Sequence, residues 1–448
     1  MYQQGIIRGG MDHTEGWSRR SFLRAGTALG GLALAGRVNG LDDVVAATAR
    51  VAGQAPAEAA QDESYWATIQ QAFTIDRTLI NFNNGNHCPQ PKVVQDAVAR
   101  YLALENEAPG YYANMINRNA EPVRNRLADE FGCDAEEMAI TRNASESLQI
   151  VQNGLDLNAG DEVITTEQDY PRMLTTWDQR ARRDGLRITR LQFPVPATQE
   201  DLYRRFERAL TPQTKVIHFC HITNLTGQLF PVRDLCRLAR QRGIISIVDG
   251  AHAAGHFPFT LRDLECDCYG VSLHKWLLAP FGTGFLYVPK ANIRKFWPLQ
   301  ASAAANNDNI RKFEEVGTMP AAPRAAIPEA LAFHQAIGAE RKAARLRYLT
   351  LRWANALKSH PRIQMLSSLE EGQTWGLAMV GIDGMTPQAI SSFLFDKHRI
   401  IVMAATTGEF PAQRFDYQGI RVTPNIYTTL QEVDTFVDAM RGLLSTGT

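Results

Sequence analysis

The sequence predicts an α/β fold, a mostly parallel sheet covered by helices, followed by a smaller C-terminal α+β domain. From about Tyr65 onward, short β-branched runs alternate with amphipathic helical segments, the pattern of strands that need helices to cover both faces. One stretch reads as a complete βαβ unit. After about Pro328 the texture changes to long helices rich in Ala, Arg and Leu, then to a mixed segment through Ile401 and Arg421, and finally to a helix from Glu432 to Leu444. With 448 residues and 45% hydrophobic content, the chain can bury a large core and divide into two unequal lobes.

The candidate strands are Glu162–Thr165, Lys215–His221, Ile244–Asp249, Cys268–Ser272 and Gly284–Val288. Between the second and third, Pro231 to Arg242 reads as a helix. It has proline in its first turn, Leu235, Leu238 and Ala239 on one face, and Gly243 at its end.

The N-terminus differs in kind. Ser18-Arg19-Arg20-Ser21-Phe22-Leu23-Arg24 precedes a small apolar run from Ala25 to Gly36, in the manner of a twin-arginine export signal. That run is shorter than the ~20 residues a membrane-spanning helix needs, so no stable membrane anchor is expected. A small-x-small site at Ala47-Thr48-Ala49 is a candidate cleavage point. The expected organisation is a signal over 1–49, a linker over 50–64, a large domain over 65–328 and a small domain over 329–448. Export machinery is thereby an expected partner and the periplasm the expected compartment; such export also suits an enzyme that folds around a cofactor before crossing.

Basic and acidic residues balance at 47 each, so no electrostatic grip on nucleic acid is expected. The six cysteines are too scattered for a disulfide scaffold, and Cys266 and Cys268 lack a second pair to hold zinc, so no metal is expected.

The chemistry is expected at strand ends, where open α/β sheets bind ligands. In Ser272-Leu273-His274-Lys275-Trp276, followed by Gly282-Thr283-Gly284, a lysine directly after a strand is placed for desolvation. A desolvated amine has a lowered pKa and attacks an aldehyde carbon; an ordinary surface lysine is the alternative. In Ile247-Val248-Asp249-Gly250-Ala251-His252 an acid ends an apolar strand, where an unpaired carboxylate is costly and a cationic partner is wanted. A pyridinium nitrogen is such a partner, and a helix cap is the alternative role. His252, three residues on, either faces a ring bound in this way or is a satisfied core histidine. In Thr141-Arg142-Asn143-Ala144-Ser145-Glu146-Ser147, small residues open a helix and offer free N–H groups to a phosphate, or form an ordinary capping box with Ser145 or Asn143 as cap.

In this order, the three elements resemble the class V aminotransferase family of fold type I pyridoxal 5′-phosphate (PLP) enzymes, which includes isopenicillin N epimerase, cysteine desulfurases and kynureninase. The resemblance runs from about Tyr65 to Leu444. It implies PLP as cofactor, held as an imine on Lys275, with Asp249 at the pyridinium nitrogen. Ala144 and Ser145 would form the phosphate-binding turn, with Ser272 and His274 as further phosphate contacts. Asn224 would lie near the phenolic oxygen and the substrate. Thr318 would reach the phosphate of a neighbouring subunit, which implies a homodimer. Where the family often has a histidine stacked on the ring, this chain has Gln168, and Tyr170 is the aromatic nearby. Arg421, in Gly419-Ile420-Arg421-Val422-Thr423, would grip the substrate carboxylate bidentately.

The resemblance implies an enzyme acting on the α-carbon of an amino acid or peptide-like substrate. Cysteine desulfurases need a catalytic cysteine in the loop ahead of the substrate arginine; here that loop reads Met403-Ala404-Ala405-Thr406-Thr407-Gly408-Glu409-Phe410, and no cysteine follows Cys268. The Asp-Tyr-Pro after Gln168 and the export signal favour the isopenicillin N epimerase-like branch, whose substrates are peptide-like or siderophore-bound amino acids. An aminotransferase, a decarboxylase, a β-lyase and a catalytically silent PLP-fold binding protein are the alternatives.

Overall fold

A computed structural model of the chain describes residues 40–118, 120–304, 307–406 and 416–445. The arginine pair and the apolar run after it lie outside the described residues.

Strands are numbered along the chain: β1 (Ile80–Asn81), β2 (Met138–Thr141), β3 (Glu162–Thr166), β4 (Arg187–Leu191), β5 (Thr214–Cys220), β6 (Ile245–Asp249), β7 (Cys268–Ser272), β8 (Gly284–Tyr287), β9 (Ile363–Met365), β10 (Ala378–Ile382), β11 (Ile400–Ile401), β12 (Met403–Ala405) and β13 (Gly419–Val422). The large sheet has seven strands in the order β2-β8-β7-β6-β5-β3-β4, and β8 alone runs against its neighbours. Every residue of β2, β3, β7 and β8 is buried, as expected of strands covered on both faces. The five expected strands and the helix at Val232–Gln241 are all present within a residue or so. Sequence reading missed β2 and β4. β2, Met-Ala-Ile-Thr, has a single β-branched apolar residue, and β4 is a partly exposed edge strand, Arg-Ile-Thr-Arg-Leu, with no apolar run to announce it.

Register aligns the chemistry. Cys220 of β5 stands beside Asp249 of β6, which stands beside Gly270 of β7. Thr141, Gly284 and Ser272 form a second row at the ends of β2, β8 and β7. The helix Ala144–Gly154 lies on β7 over Gly270, where an added Cβ would come within 2.7 Å of Leu148 Cγ and 3.1 Å of Ser147 Cβ. The missing side chain lets the helix start close to Ser272.

The smaller sheet is antiparallel, in the order β12-β13-β10-β9. Its core holds Leu349, Trp353, Val380, Ile420 and Phe436, and also Phe82 from just after β1, which pairs with β11. The helix Ala339–Leu357 contributes Ala343 and Leu346 to the large core and Leu349 and Trp353 to the small one, so the change of core falls inside a single helix. Residues 50–64, expected as a linker, contain the helix Pro56–Ala59 and the start of Glu63–Gln71, with Ala59 and Ala60 buried. Ahead of them the helix Leu41–Arg50 buries Val44 and Ala47 fully, and Thr48 Oγ1 lies 3.1 Å from the Tyr65 hydroxyl. The small-x-small site at Ala47-Thr48-Ala49 is therefore part of a packed helix. No helix among the described residues is long and apolar enough to cross a membrane.

Gly270→Val should force the helix Ala144–Gly154 off β7. Denaturant unfolding should show a loss of about 1–3 kcal/mol, the scale of overpacking in a dense core, whereas an unchanged midpoint would mean that the contact is not tight.

Candidate active site

The C-terminal ends of the parallel strands open into a cavity of about 670 Å³. Its wall includes Ala144, Ser145, Tyr170, Asn224, Asp249, His252, Ser272, His274, Lys275 and Arg421. Ten of the eleven residues singled out from sequence therefore meet in one space. The eleventh, Thr318, is exposed on a bend and is not on this wall.

Lys275 lies in the turn after β7, three residues past Ser272, and its Nζ lies 2.8 Å from His252 Nε2. The Trp276 indole N–H donates to His252 Nδ1 at 3.4 Å, which in a neutral imidazole leaves the ring proton on Nε2, facing the lysine. The geometry thus suits a neutral amine. Burial, reinforced by the Arg421 charge and opposed by Asp249, brings the Lys275 ammonium down to about 8. Burial, together with the charges of Lys275 and Arg421, keeps His252 well below its ordinary value and hence neutral. His252 is thus a cavity residue with both ring nitrogens engaged.

Asp249 accepts from the Ala251 N–H at 2.9 Å through Oδ1. Burial, with Asp169 adding repulsion and the Ala251 bond and Lys275 opposing, raises its carboxyl to about 6. A cation placed against it would relieve that cost, as a protonated ring nitrogen does.

The helix Ala144–Gly154 is capped by Asn143, whose Oδ1 accepts from the Glu146 N–H at 2.9 Å, while Ser272 Oγ accepts from the Ala144 N–H at 3.0 Å. Asn143, not Ser145, is the cap. Ser145 is left on the cavity wall at a helix N-terminus, where backbone N–H groups and the dipole favour an anion. His274 Nδ1 donates to the Thr283 carbonyl at 3.3 Å, and burial lowers its ring to about 4.

Tyr170 and Gln168 differ in their surroundings. Gln168 is buried, with Oε1 accepting from the Thr226 hydroxyl at 2.8 Å, whereas Tyr170 lines the cavity at the start of its helix. Asp169 between them is fully engaged by Thr165 Oγ1 and by the Thr166 and Cys220 N–H groups. It anchors the loop that presents Tyr170.

Arg421 comes from β13 in the other sheet. Nη1 donates to the Asn224 carbonyl and Nη2 to Asn83 Oδ1, each at 2.8 Å, while its Nε and the Asn224 Oδ1 are buried without hydrogen-bond partners among the described residues. Burial lowers the guanidinium to about 10, so it stays charged at neutral pH. An oriented cation with an idle buried donor beside an idle amide oxygen fits a carboxylate-and-amine ligand.

Sequence reading missed the segment around Gly85. A Cβ there would lie 2.9 Å from Arg421 Cζ and 3.1 Å from both Nε and Nη1, so the glycine lets backbone pack on the face of the guanidinium. Gly85 N donates to Thr423 Oγ1 at 2.9 Å, tying the segment to the strand that carries Arg421. The polar cluster Asn83-Asn84-Gly85-Asn86-His87 was the available signal. Arg172, Cys220, Phe281 and Met403 also reach the wall unannounced. All six cysteines are free, all but Cys133 are buried, and the described residues contain no cluster suited to a metal ion.

The family model for aminotransferase class-V matches residues 80–436. Isopenicillin N epimerase of Streptomyces clavuligerus is 28% identical over 84% of this chain and 98% of its own. A probable cysteine desulfurase of Vibrio cholerae is 26% identical over 83% of this chain and 95% of its own. Among solved structures, the apo cysteine desulfurase from Thermococcus onnurineus superposes with a TM-score of 0.73 at 22% identity, over 85% of this chain and 98% of that one. A mutant of C-DES, with glycine covalently linked to its PLP cofactor, gives 0.72 at 22% identity, over 82% and 98% of the two chains.

Gly85→Ala should displace Arg421 and weaken carboxylate binding about 10- to 100-fold, the usual effect of a small misplacement in a binding constellation. Titration with a carboxylate ligand of the wild type checks this, and equal affinity in the two proteins would show that Gly85 does not set the guanidinium.

Proposed function

The chain belongs to the class V aminotransferase family, and from that premise we propose that it is a PLP-dependent enzyme acting on the α-carbon of an amino acid or peptide-bound amino acid. The observation that carries this reading is the convergence of Lys275, Asp249 and Arg421, from β7, β6 and β13, on one cavity. PLP, when bound, supplies an electron sink for charge developing at the α-carbon. Lys275 would hold it covalently and, once displaced by the substrate amine, act as the base beside the α-carbon. Asp249 would hold the proton on the ring nitrogen, Tyr170 would cover the ring, and Ser145, Ser272 and His274 would surround the phosphate. Arg421 and Asn224 would fix the substrate carboxylate, so that the reacting bond is oriented before chemistry begins.

Within the family we favour an epimerase-like reaction over desulfuration. A desulfurase needs a thiolate acceptor, and the cysteine on this cavity wall, Cys220, has its thiol pushed well above the usual value by burial and by the neighbouring carboxylates of Asp169 and Asp249. A homodimer is part of the proposal, with the exposed Thr318 serving the partner's site.

Purified protein with PLP should show a visible absorption band that borohydride abolishes and that never forms in Lys275→Ala. Arg421→Ala should keep the band but weaken amino-acid binding by about 2–4 kcal/mol, the scale for removing one member of a desolvated charge pair. Incubation with amino acids and γ-glutamyl-type peptides in deuterated water then sorts the reaction class. Loss of the α-proton without keto acid means epimerisation, keto acid with aminated cofactor means transamination, and carbon dioxide means decarboxylation. Catalytic sulfide release from cysteine would overturn the preference stated above, and a wild type that takes up no PLP would overturn the whole reading.

We also propose twin-arginine export to the periplasm. Because such a protein is folded before it crosses, the peptidase would meet Leu41–Arg50 already packed, so the cut should fall ahead of that helix, for which Ala33-Leu34-Ala35 supplies a small-x-small sequence. Replacing Arg19 and Arg20 by lysine should trap uncleaved protein in the cytoplasm, and the N-terminus of exported wild type should retain Leu41. Wild type confined to the cytoplasm of its own host would end this proposal.

A further inference from the structure

The turn that carries Lys275 is strained, and it is held from behind. Leu278, three residues on and buried, has φ of +65°, a conformation side chains rarely adopt and one that persists only where the surroundings enforce it. Its N–H bonds the Lys275 carbonyl at 3.1 Å, closing the turn. Two outer carbonyls of the turn are gripped by other parts of the chain: the Cys88 N–H donates to the His274 carbonyl at 3.1 Å, and Lys342 Nζ donates to the Trp276 carbonyl.

Lys342 lies on the helix Ala339–Leu357, is 1% exposed, and has no place in the chemistry above. A buried ammonium is costly unless its donors are matched. Here Nζ also lies 3.4 Å from His334 Nδ1, and His334 Nε2 lies 3.3 Å from Glu130 Oε1. A neutral His334 with its proton on Nε2 satisfies both contacts, so charge at Lys342 is joined to charge at Glu130 through one imidazole. The chain Glu130, His334, Lys342 ends on Trp276, whose indole N–H orients His252 and whose ring stacks on His256 at 3.8 Å. His256 in turn accepts from the Gly376 N–H at 2.7 Å.

We propose that Lys342, backed by His334 and Glu130, is a positioning residue that holds the Lys275 turn and the His252 ring in register through the carbonyl of Trp276. The proposal rests on the PLP reading given above. Lys342→Met keeps the length of the side chain but leaves that carbonyl without its donor. When PLP is added to cofactor-free protein, the lysine amine replaces the aldehyde oxygen with loss of water. In Lys342→Met the first-order rate of this attachment should fall about 10- to 100-fold, the effect of a small misplacement of a reacting group. The visible circular dichroism of the bound cofactor should weaken as well. Neither readout would move if Lys342 only supported folding, in which case the thermal midpoint alone would drop. A folded Lys342→Met indistinguishable from wild type in both readouts overturns the proposal. If Lys342→Met does not fold, Glu130→Leu decides by the same readouts: it should slow attachment by at least about threefold, and unchanged attachment overturns the proposal. A wild type that never attaches PLP removes the parent reading and this one together, whereas a wild type that attaches it normally beside unaltered variants removes this one alone.

Discussion

The site depends on one amine held inside the cavity. Among the described residues no carboxylate pairs with Lys275, and its nitrogen meets a histidine that carries its proton toward it. In a low-dielectric cavity that already contains the Arg421 cation, burial outweighs the pull of Asp249 and brings the ammonium down to about 8, so far more free amine is present near neutral pH than for an exposed lysine. The same desolvation acts in the opposite sense on Asp249, raising its carboxyl and leaving it in want of a cation. Desolvation thus leaves the cavity with an amine of lowered pKa and a carboxyl in want of a cation.

The second requirement is that two lobes contribute to one pocket. Arg421 belongs to the small sheet, yet its hydrogen bonds run to Asn224 after β5 and to Asn83 after β1. The segment from β1 to Cys88 pairs with β11, places Phe82 in the small core, closes over the guanidinium at Gly85, and then bonds the His274 carbonyl. One stretch of chain therefore spans the Arg421 end of the cavity and the lysine turn. Together with the helix Ala339–Leu357, which enters both cores, it couples the position of Arg421 to that of Lys275.

Much of this was legible in the chain itself. The strands β3, β5, β6, β7 and β8 are short apolar runs whose burial follows from their composition, and the lysine and aspartate stand at ends of such runs. A residue at the end of a buried parallel strand faces the edge of the sheet, so periodicity put Asp249 and Lys275 at strand ends, and it was their order together with the family resemblance that raised them above a turn aspartate and a surface lysine. The helix after Asn143 was legible for the same reason, since its cap and its small residues are local features. The site of Arg421 was legible only through family resemblance, because an arginine in a strand is ordinarily a surface charge.

Tertiary structure decided what local pattern could not. Gln168 and Tyr170 compete for one role in the sequence; in the fold Tyr170 lines the cavity, while Gln168 is buried and accepts a hydrogen bond from Thr226, far along the chain. Gly85 matters because of a guanidinium more than three hundred positions later, and Lys342 because of a carbonyl beside Lys275. Likewise Ala47-Thr48-Ala49 resembles a cleavage site by composition but is packed helix by context. A sequence determines what each short segment prefers and which groups would be costly to bury alone. Which partner relieves that cost depends on long-range closure of the chain, and it becomes visible only when the two lobes are assembled.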